Sequence, residues 1–89
     1  MQSIGSITKN KYLCIISLAL KFEGKATGTN YNIITGLPKA AKGAVMSVPN
    51  EYGNTGTATL NMEYGSTTLK AKCSHANNFY YAEIIYPIE

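Results

Sequence analysis

The chain closes on NNFYYAEIIYPIE, residues 77 to 89, where four aromatic rings and three isoleucines occupy the final eleven positions. Chain ends fray unless something ties them down, so a segment this apolar has to be an ordered, buried strand. Alternation puts Tyr80, Ala82, Ile84 and Tyr86 on one side. Phe79, Tyr81 and Ile85, interrupted by Glu83, fall on the other. The stretch from Lys11 to Phe22 behaves in the same way. Its even set, Tyr12, Cys14, Ile16, Leu18, Leu20 and Phe22, is wholly apolar, and its odd set, Leu13, Ile15, Ser17, Ala19 and Lys21, starts apolar and turns polar. One apolar face is what an antiparallel sheet needs to meet its core; a second one requires another sheet or a neighbouring subunit to cover it. The two segments therefore belong in the middle of a sheet, paired with each other.

Working outward, β-branched and aromatic residues recur in short runs separated by Gly, Asn and Pro, with no convincing helical period. SIGSIT, residues 3 to 8, precedes the turn KNK and the long strand 11 to 22. YNIITGLP, residues 31 to 38, is a short strand ended by Gly36 and Pro38, KAAKG is a connector, and AVMSVP, residues 44 to 49, is another strand. The cleanest alternation is TATLNMEYG, residues 57 to 65, with Ala58, Leu60, Met62 and Tyr64 inward and Thr57, Thr59, Asn61 and Glu63 outward. Gly65 and Ser66 connect it to TTLKAKCS, where Leu69, Ala71 and Cys73 face in and Lys70 and Lys72 face out, so residues 57 to 74 form a hairpin. The expected fold is all-β, a small antiparallel β-sandwich of jelly-roll-like form with about six to eight strands, in one domain spanning residues 1 to 89.

A domain of 89 residues buries only about 60 to 65% of the surface its unfolded chain exposes, so its core is thin. Disulfides, metals and oligomerisation are the usual remedies. Cys14 and Cys73 allow at most one bridge; both fall in apolar phase, which suits small core hydrophobes, and their pairing stays open. No Cys/His spacing suggests zinc, and neither a metal nor a cofactor is expected. Oligomerisation is the remedy left, with Leu13, Ile15, Tyr81 and Ile85 as the expected interface.

Eight lysines stand against five glutamates, with no arginine and no aspartate. Lys9, Lys11, Lys21, Lys25, Lys39, Lys42, Lys70 and Lys72 are spread along the chain, whereas nucleic-acid binders cluster charge and favour arginine. No nucleic-acid partner is expected. The apolar run YLCIISLAL, residues 12 to 20, is shorter than the ~20 residues of a membrane helix and lacks a cleavage site, so neither a membrane partner nor an export signal is expected. His75, the one histidine, lies in the turn composition SHANN with little acidic company, and no phosphate loop, nucleophile elbow or zinc-protease pattern occurs. The chain is not expected to be an enzyme. Seven tyrosines, several beside Asn and Gly, fit a rim where rings stack on sugar faces while amides bond hydroxyls, the residue economy of paratopes. Tyrosine is equally an ordinary strand residue with a polar tip. The candidate carbohydrate-binding residues are Tyr31, Asn32, Tyr52, Asn54, Tyr64, His75, Asn77, Asn78 and Tyr80.

YNIITGLPKA at residues 31 to 40, the Gly- and Asn-rich hairpin, and the closing YYAEIIYP together resemble the C-terminal head domains of phage tail fibres and receptor-binding proteins. The likeness runs over about two thirds of the chain, and its motifs are short. KAAKG after Gly36-Leu37-Pro38 departs from the pattern, where proline and a longer loop are commoner. The resemblance implies a homotrimeric β-sandwich at the tip of a fibre or baseplate, with the fibre's amino-terminal part before Met1 and the rest of the phage tail as a partner. It implies binding of host cell-surface or cell-wall glycan without cleavage, made in the bacterial host cytoplasm and carried on the virion. Two other readings remain beside it: a structural tail, collar or decoration protein with only protein partners, and a small OB-like single-strand nucleic-acid binder using lysines and stacked tyrosines.

Overall fold

The structure is a computed structural model that describes residues 2–22, 27–49, 56–75 and 79–89. Its described residues form seven strands: β1 Gln2–Lys9, β2 Leu13–Lys21, β3 Tyr31–Ile34, β4 Ala44–Pro49, β5 Thr57–Met62, β6 Leu69–Cys73 and β7 Phe79–Pro87. They make two antiparallel sheets, one of three strands in the order β1-β2-β7 and one of four in the order β3-β6-β5-β4. The expected all-β sandwich is what the chain adopts.

Local chemistry sets the turns. Between β1 and β2, Asn10 Oδ1 accepts from the amides of Tyr12 at 2.7 Å and Leu13 at 2.9 Å, a side-chain mimic of a turn that frees the strands to pair. Gly65, at φ 74° in the β5 to β6 connection, sits where a side chain would be strained, and Ser66 N closes the turn on Glu63 O at 3.0 Å. The β5–β6 register runs Ala58 with Cys73 and Leu60 with Ala71, the hairpin expected from the alternation.

β2 pairs β7 along its whole length, from Leu13 opposite Pro87 to Lys21 opposite Phe79. The central strand is β2, however, and β7 stands at the sheet edge, contrary to the expectation that both lie inside. The carboxyl-terminal end of β7 and the two residues beyond it are tied down by the segment read as a plain connector. Ala40 bridges Ile88, Ala41 N donates to Pro87 O at 2.8 Å, and Glu89 N donates to Lys39 O at 3.1 Å. Together with the Gly36-Leu37-Pro38 stretch before it, the segment is held to the β5–β6 connection through Leu37 N to Thr67 O at 2.9 Å and Gly65 N to Ala40 O at 2.8 Å, and Leu37 and Ala40 are buried. GLPKAA thus laces the chain's end to the β5–β6 connection of the opposite sheet.

The core lies between the sheets. From β2 it takes Cys14, Ile16, Leu18 and Leu20, with Phe22 just beyond; from β7, Tyr80, Ala82, Ile84 and Tyr86. Opposite stand Ala58, Leu60, Met62, Leu69, Ala71 and Cys73. Each large side chain removed from water contributes about 1.5–3 kcal/mol. The Phe22 and Tyr80 rings meet edge to face, centroids 6.0 Å apart at 77°. Two members expected in this set are not in it: Tyr12 and Tyr64 follow the apolar phase but sit in turns and are exposed. Alternation stops counting where the chain leaves the pleat.

Tyr80 and Tyr86 lose their hydroxyls to the interior only because each finds a carbonyl, His75 O at 2.7 Å and Pro38 O at 2.9 Å. The thiols of Cys14 and Cys73 are both free and buried. Burial raises the Cys73 thiol above its ordinary 9.0. It also raises the Tyr86 hydroxyl far above 10.0, with the hydrogen-bonded Cys14 thiol adding to the shift. Both groups hold their protons more tightly folded than unfolded, so the unfolded chain gives them up first as the pH rises. The stability they support is complete below the ordinary values and falls above them. Urea midpoints should therefore hold up to about pH 9 and then decline steadily towards pH 11, and Tyr86→Phe should flatten the part of the decline above about pH 10. A midpoint constant across that range would show that these groups open to water in the folded state.

Candidate binding surfaces

The pleat gives each sheet an outer face, and the two differ in chemistry. On the three-stranded sheet the cross-strand pairs facing outward are Leu13 with Pro87, Ile15 with Ile85, Ser17 with Glu83, Ala19 with Tyr81 and Lys21 with Phe79. All four expected interface residues thus share one face, Tyr81 being 60% and Ile85 48% exposed. At its middle Ser17 Oγ donates to Glu83 Oε2 at 3.0 Å, and the Lys21 ammonium lies 5.1 Å from the Phe79 ring centroid. The small residues Gly5, Ser6 and Ser17 leave a broad, shallow depression of about 490 Å³ beside Tyr81 and Glu83. Gly5 also lets β1 approach closely, since a Cβ there would stand 1.9 Å from the Ser17 carbonyl oxygen. Residues 5 to 9 of β1 are exposed on both faces.

The four-stranded sheet turns a mainly polar face outward, with Val45 of β4 exposed on it opposite Asn61. Asn32 of β3 aligns with Lys70, Lys70 with Asn61, Lys72 with Thr59, and Thr59 with Ser47, whose hydroxyls lie 3.2 Å apart. At the end where Cys73 and Thr57 lie, a narrow groove of about 160 Å³ crosses β6, lined by Gly28, Thr57, Thr59, Lys72, Cys73 and Ser74. Thr57 N donates to Ser74 Oγ at 2.8 Å and Ser74 N to Thr57 O at 2.9 Å. Gly28 N donates to Cys73 O at 2.8 Å. The Ser74 hydroxyl also meets His75 Nδ1 at 2.9 Å. A serine beside an imidazole invites a nucleophilic reading. Among the described residues no carboxylate orients that ring: Glu63 pairs with Lys70 and Glu89 with Lys39, while Glu83 bonds Ser17 on the other sheet.

The expected carbohydrate residues separate. Asn32 is exposed on the polar face, and His75 is exposed beside the groove. Tyr64, 74% exposed, stands at the opposite end of the hairpin. Tyr31 is partly buried against the core, and Tyr80 has no exposed surface at all, which removes it from any ligand contact. Tyr52, Asn54, Asn77 and Asn78 lie outside the described residues. A continuous tyrosine rim is not what the described residues form. Thr57, Thr59 and Ser74 escaped the sequence reading because hydroxyls on an outward phase look like ordinary solvated strand; their meeting with Lys72 depends on the β5–β6 register.

Among the described residues no group of three metal-ligating side chains converges, and no helix is long and apolar enough to cross a membrane. No protein-family model, curated protein or solved structure matches the chain.

Proposed function

We propose that the chain is a non-catalytic receptor-binding head of the phage tail-fibre kind. In this reading three copies associate through the outer face of the three-stranded sheet, and each turns its polar sheet towards a host cell-surface glycan. The observation that carries the reading is the division of chemistry between the two outer faces. Leu13, Ile15, Tyr81 and Ile85 gather on one, while amides, hydroxyls and two ammonium groups gather on the other. A 9.6 kDa chain that leaves such a row in water has reason to cover it with its own kind. The polar face suits neutral and charged hydroxylated ligands. The resemblance of YNIITGLPKA and YYAEIIYP to tail-fibre heads gives the same assignment, with the remainder of a phage tail as the second protein partner and the virion as the location.

Lysines are dispersed or engaged, with Lys39 and Lys70 near glutamates and Lys21 over a ring. That pattern favours a saccharide over a nucleic acid, whose binding rests on many phosphate contacts at once. A glycan array together with pull-down on bacterial cell walls tests the proposal. Retention on a defined set of surface polysaccharides is the expected result. Assembly without any saccharide or cell-wall binding would leave the face-to-face association and transfer the chain to the structural tail, collar or decoration reading.

A further inference from the structure

We propose that the groove across β6 is a subsite for the anionic group of a charged saccharide, a carboxylate or phosphate ester flanked by hydroxyls, with Lys72 as its ionic anchor. The proposal rests on the glycan-binding reading and names the class of sugar and the place where it binds.

Size sets the first limit. About 160 Å³ corresponds to roughly five waters at about 30 Å³ each, room to seat a carboxylate or phosphate with part of one ring, any longer saccharide continuing outside the groove. Sign sets the second. Among the described residues Lys72 is the single charged one that lines the groove, and among them it makes no ion pair, whereas Lys70, one outward position along the same strand, lies 4.0 Å from Glu63. Lys72 pairs with Thr59 across the β5–β6 register, so the two side chains leave the sheet side by side on the outer face. None of the described glutamates lines the groove.

Rigidity is the third consideration. The Thr57 and Ser74 backbones bond each other, Ser74 Oγ is fixed by Thr57 N, and the Gly28 rim is tied to Cys73 O. Gly28, at φ 74°, adopts a conformation that favours glycine, and a Cβ there would meet no atom within 4 Å, so the rim is low and open. Groups already held in place lose little freedom when a ligand arrives. A charge-assisted hydrogen bond from Lys72, with hydroxyl bonds from Thr57 and Thr59, then selects an acidic sugar over its neutral counterpart.

The test uses the whole 89-residue chain, 15N-labelled, titrated with methyl β-D-glucuronide, glucose 6-phosphate and methyl β-D-glucoside while amide shifts are followed. Either or both anionic probes should move the amides of residues 57, 59 and 72 to 74, and should bind at least about tenfold more tightly than the neutral glucoside, the size of one charge-assisted bond. The comparison of carboxylate with phosphate identifies which group the natural sugar bears. Lys72→Gln should weaken the anionic probes by about tenfold or more, and Lys42→Gln, at an exposed residue beside the opposite, Ala44–Met62 end of the sheet, should leave them within about twofold. Equal binding of the neutral glucoside, or an unaffected Lys72→Gln variant, overturns the proposal. So does inorganic phosphate binding as well as the sugars, which would mark mere anion affinity. A glycan-array ligand whose footprint falls elsewhere overturns the groove and leaves the glycan reading standing; silence on both array and titration overturns both.

Discussion

Phe22→Ala should strip the fold of a large part of its stability. Phe22 stands just past the end of β2, has no exposed surface, and meets the Tyr80 ring edge to face. Truncating a buried phenylalanine costs about 3–5 kcal/mol, from lost transfer energy and from the cavity left behind. A domain of 89 residues holds about 4–13 kcal/mol at ordinary stability per residue, so the change takes up from about a quarter of the reserve to all of it. Its position makes collapse of the cavity hard. Tyr80 is pinned through its hydroxyl to His75 O at 2.7 Å and cannot swing in to fill the space without breaking that bond. Urea unfolding followed by circular dichroism measures the loss. Phe79→Ala, one ring away in sequence but facing outward at 37% exposure, is the matched control and should cost under about 1 kcal/mol. If the two variants behave alike, the assignment of even residues to the interior is wrong.

The second large effect concerns assembly. Under the proposed association the native chain should run near 29 kDa in light scattering, three times 9.6 kDa, and Ile85→Lys should bring it to the mass of one copy. Ile85 pairs with Ile15 at the apolar end of the outer face, beside Leu13 and Pro87. An ammonium placed there would have to be stripped of water without a partner, which opposes association far more strongly than it affects the single copy. Because Ile85 is already 48% exposed, the circular dichroism spectrum should not change. Val45→Lys, exposed on the other sheet, should leave the mass near 29 kDa. A native chain that scatters as one copy at micromolar concentration would remove the assembly half of the proposal.

Much of the fold was legible because period-two alternation is a strong signal wherever a strand buries one face. The segment 57 to 74 shows its hairpin, its inward residues and its outward lysines without help. The pairing of 13 to 21 with 79 to 87 was legible for the same reason: two doubly apolar strands find in each other the most similar surface available. What failed to show was anything fixed by the third dimension. Tyr12 and Tyr64 obey the phase and yet lie in turns. KAAKG carries no strand or helix pattern, so its part in fastening residues 87 to 89 through backbone bonds left no trace in side-chain chemistry. Of the expected ligand residues, Asn32 and His75 stay exposed near the polar face while Tyr80 turns inward. An aromatic with an Asn neighbour reads the same in either orientation until the pleat is placed.

The two thiols have a practical consequence. Cys14 lies opposite Tyr86 at one end of the sandwich. Cys73 lies near His75 and Tyr80 at the other, roughly 20 Å away along about six strand residues. That is well beyond the ~7 Å within which Cα atoms can be bridged, so no oxidant can crosslink them while the fold is intact. Sealed and apart, they are two built-in reporters: the rate at which a thiol reagent reaches each one measures how often that end of the molecule breathes open, without adding a single foreign group.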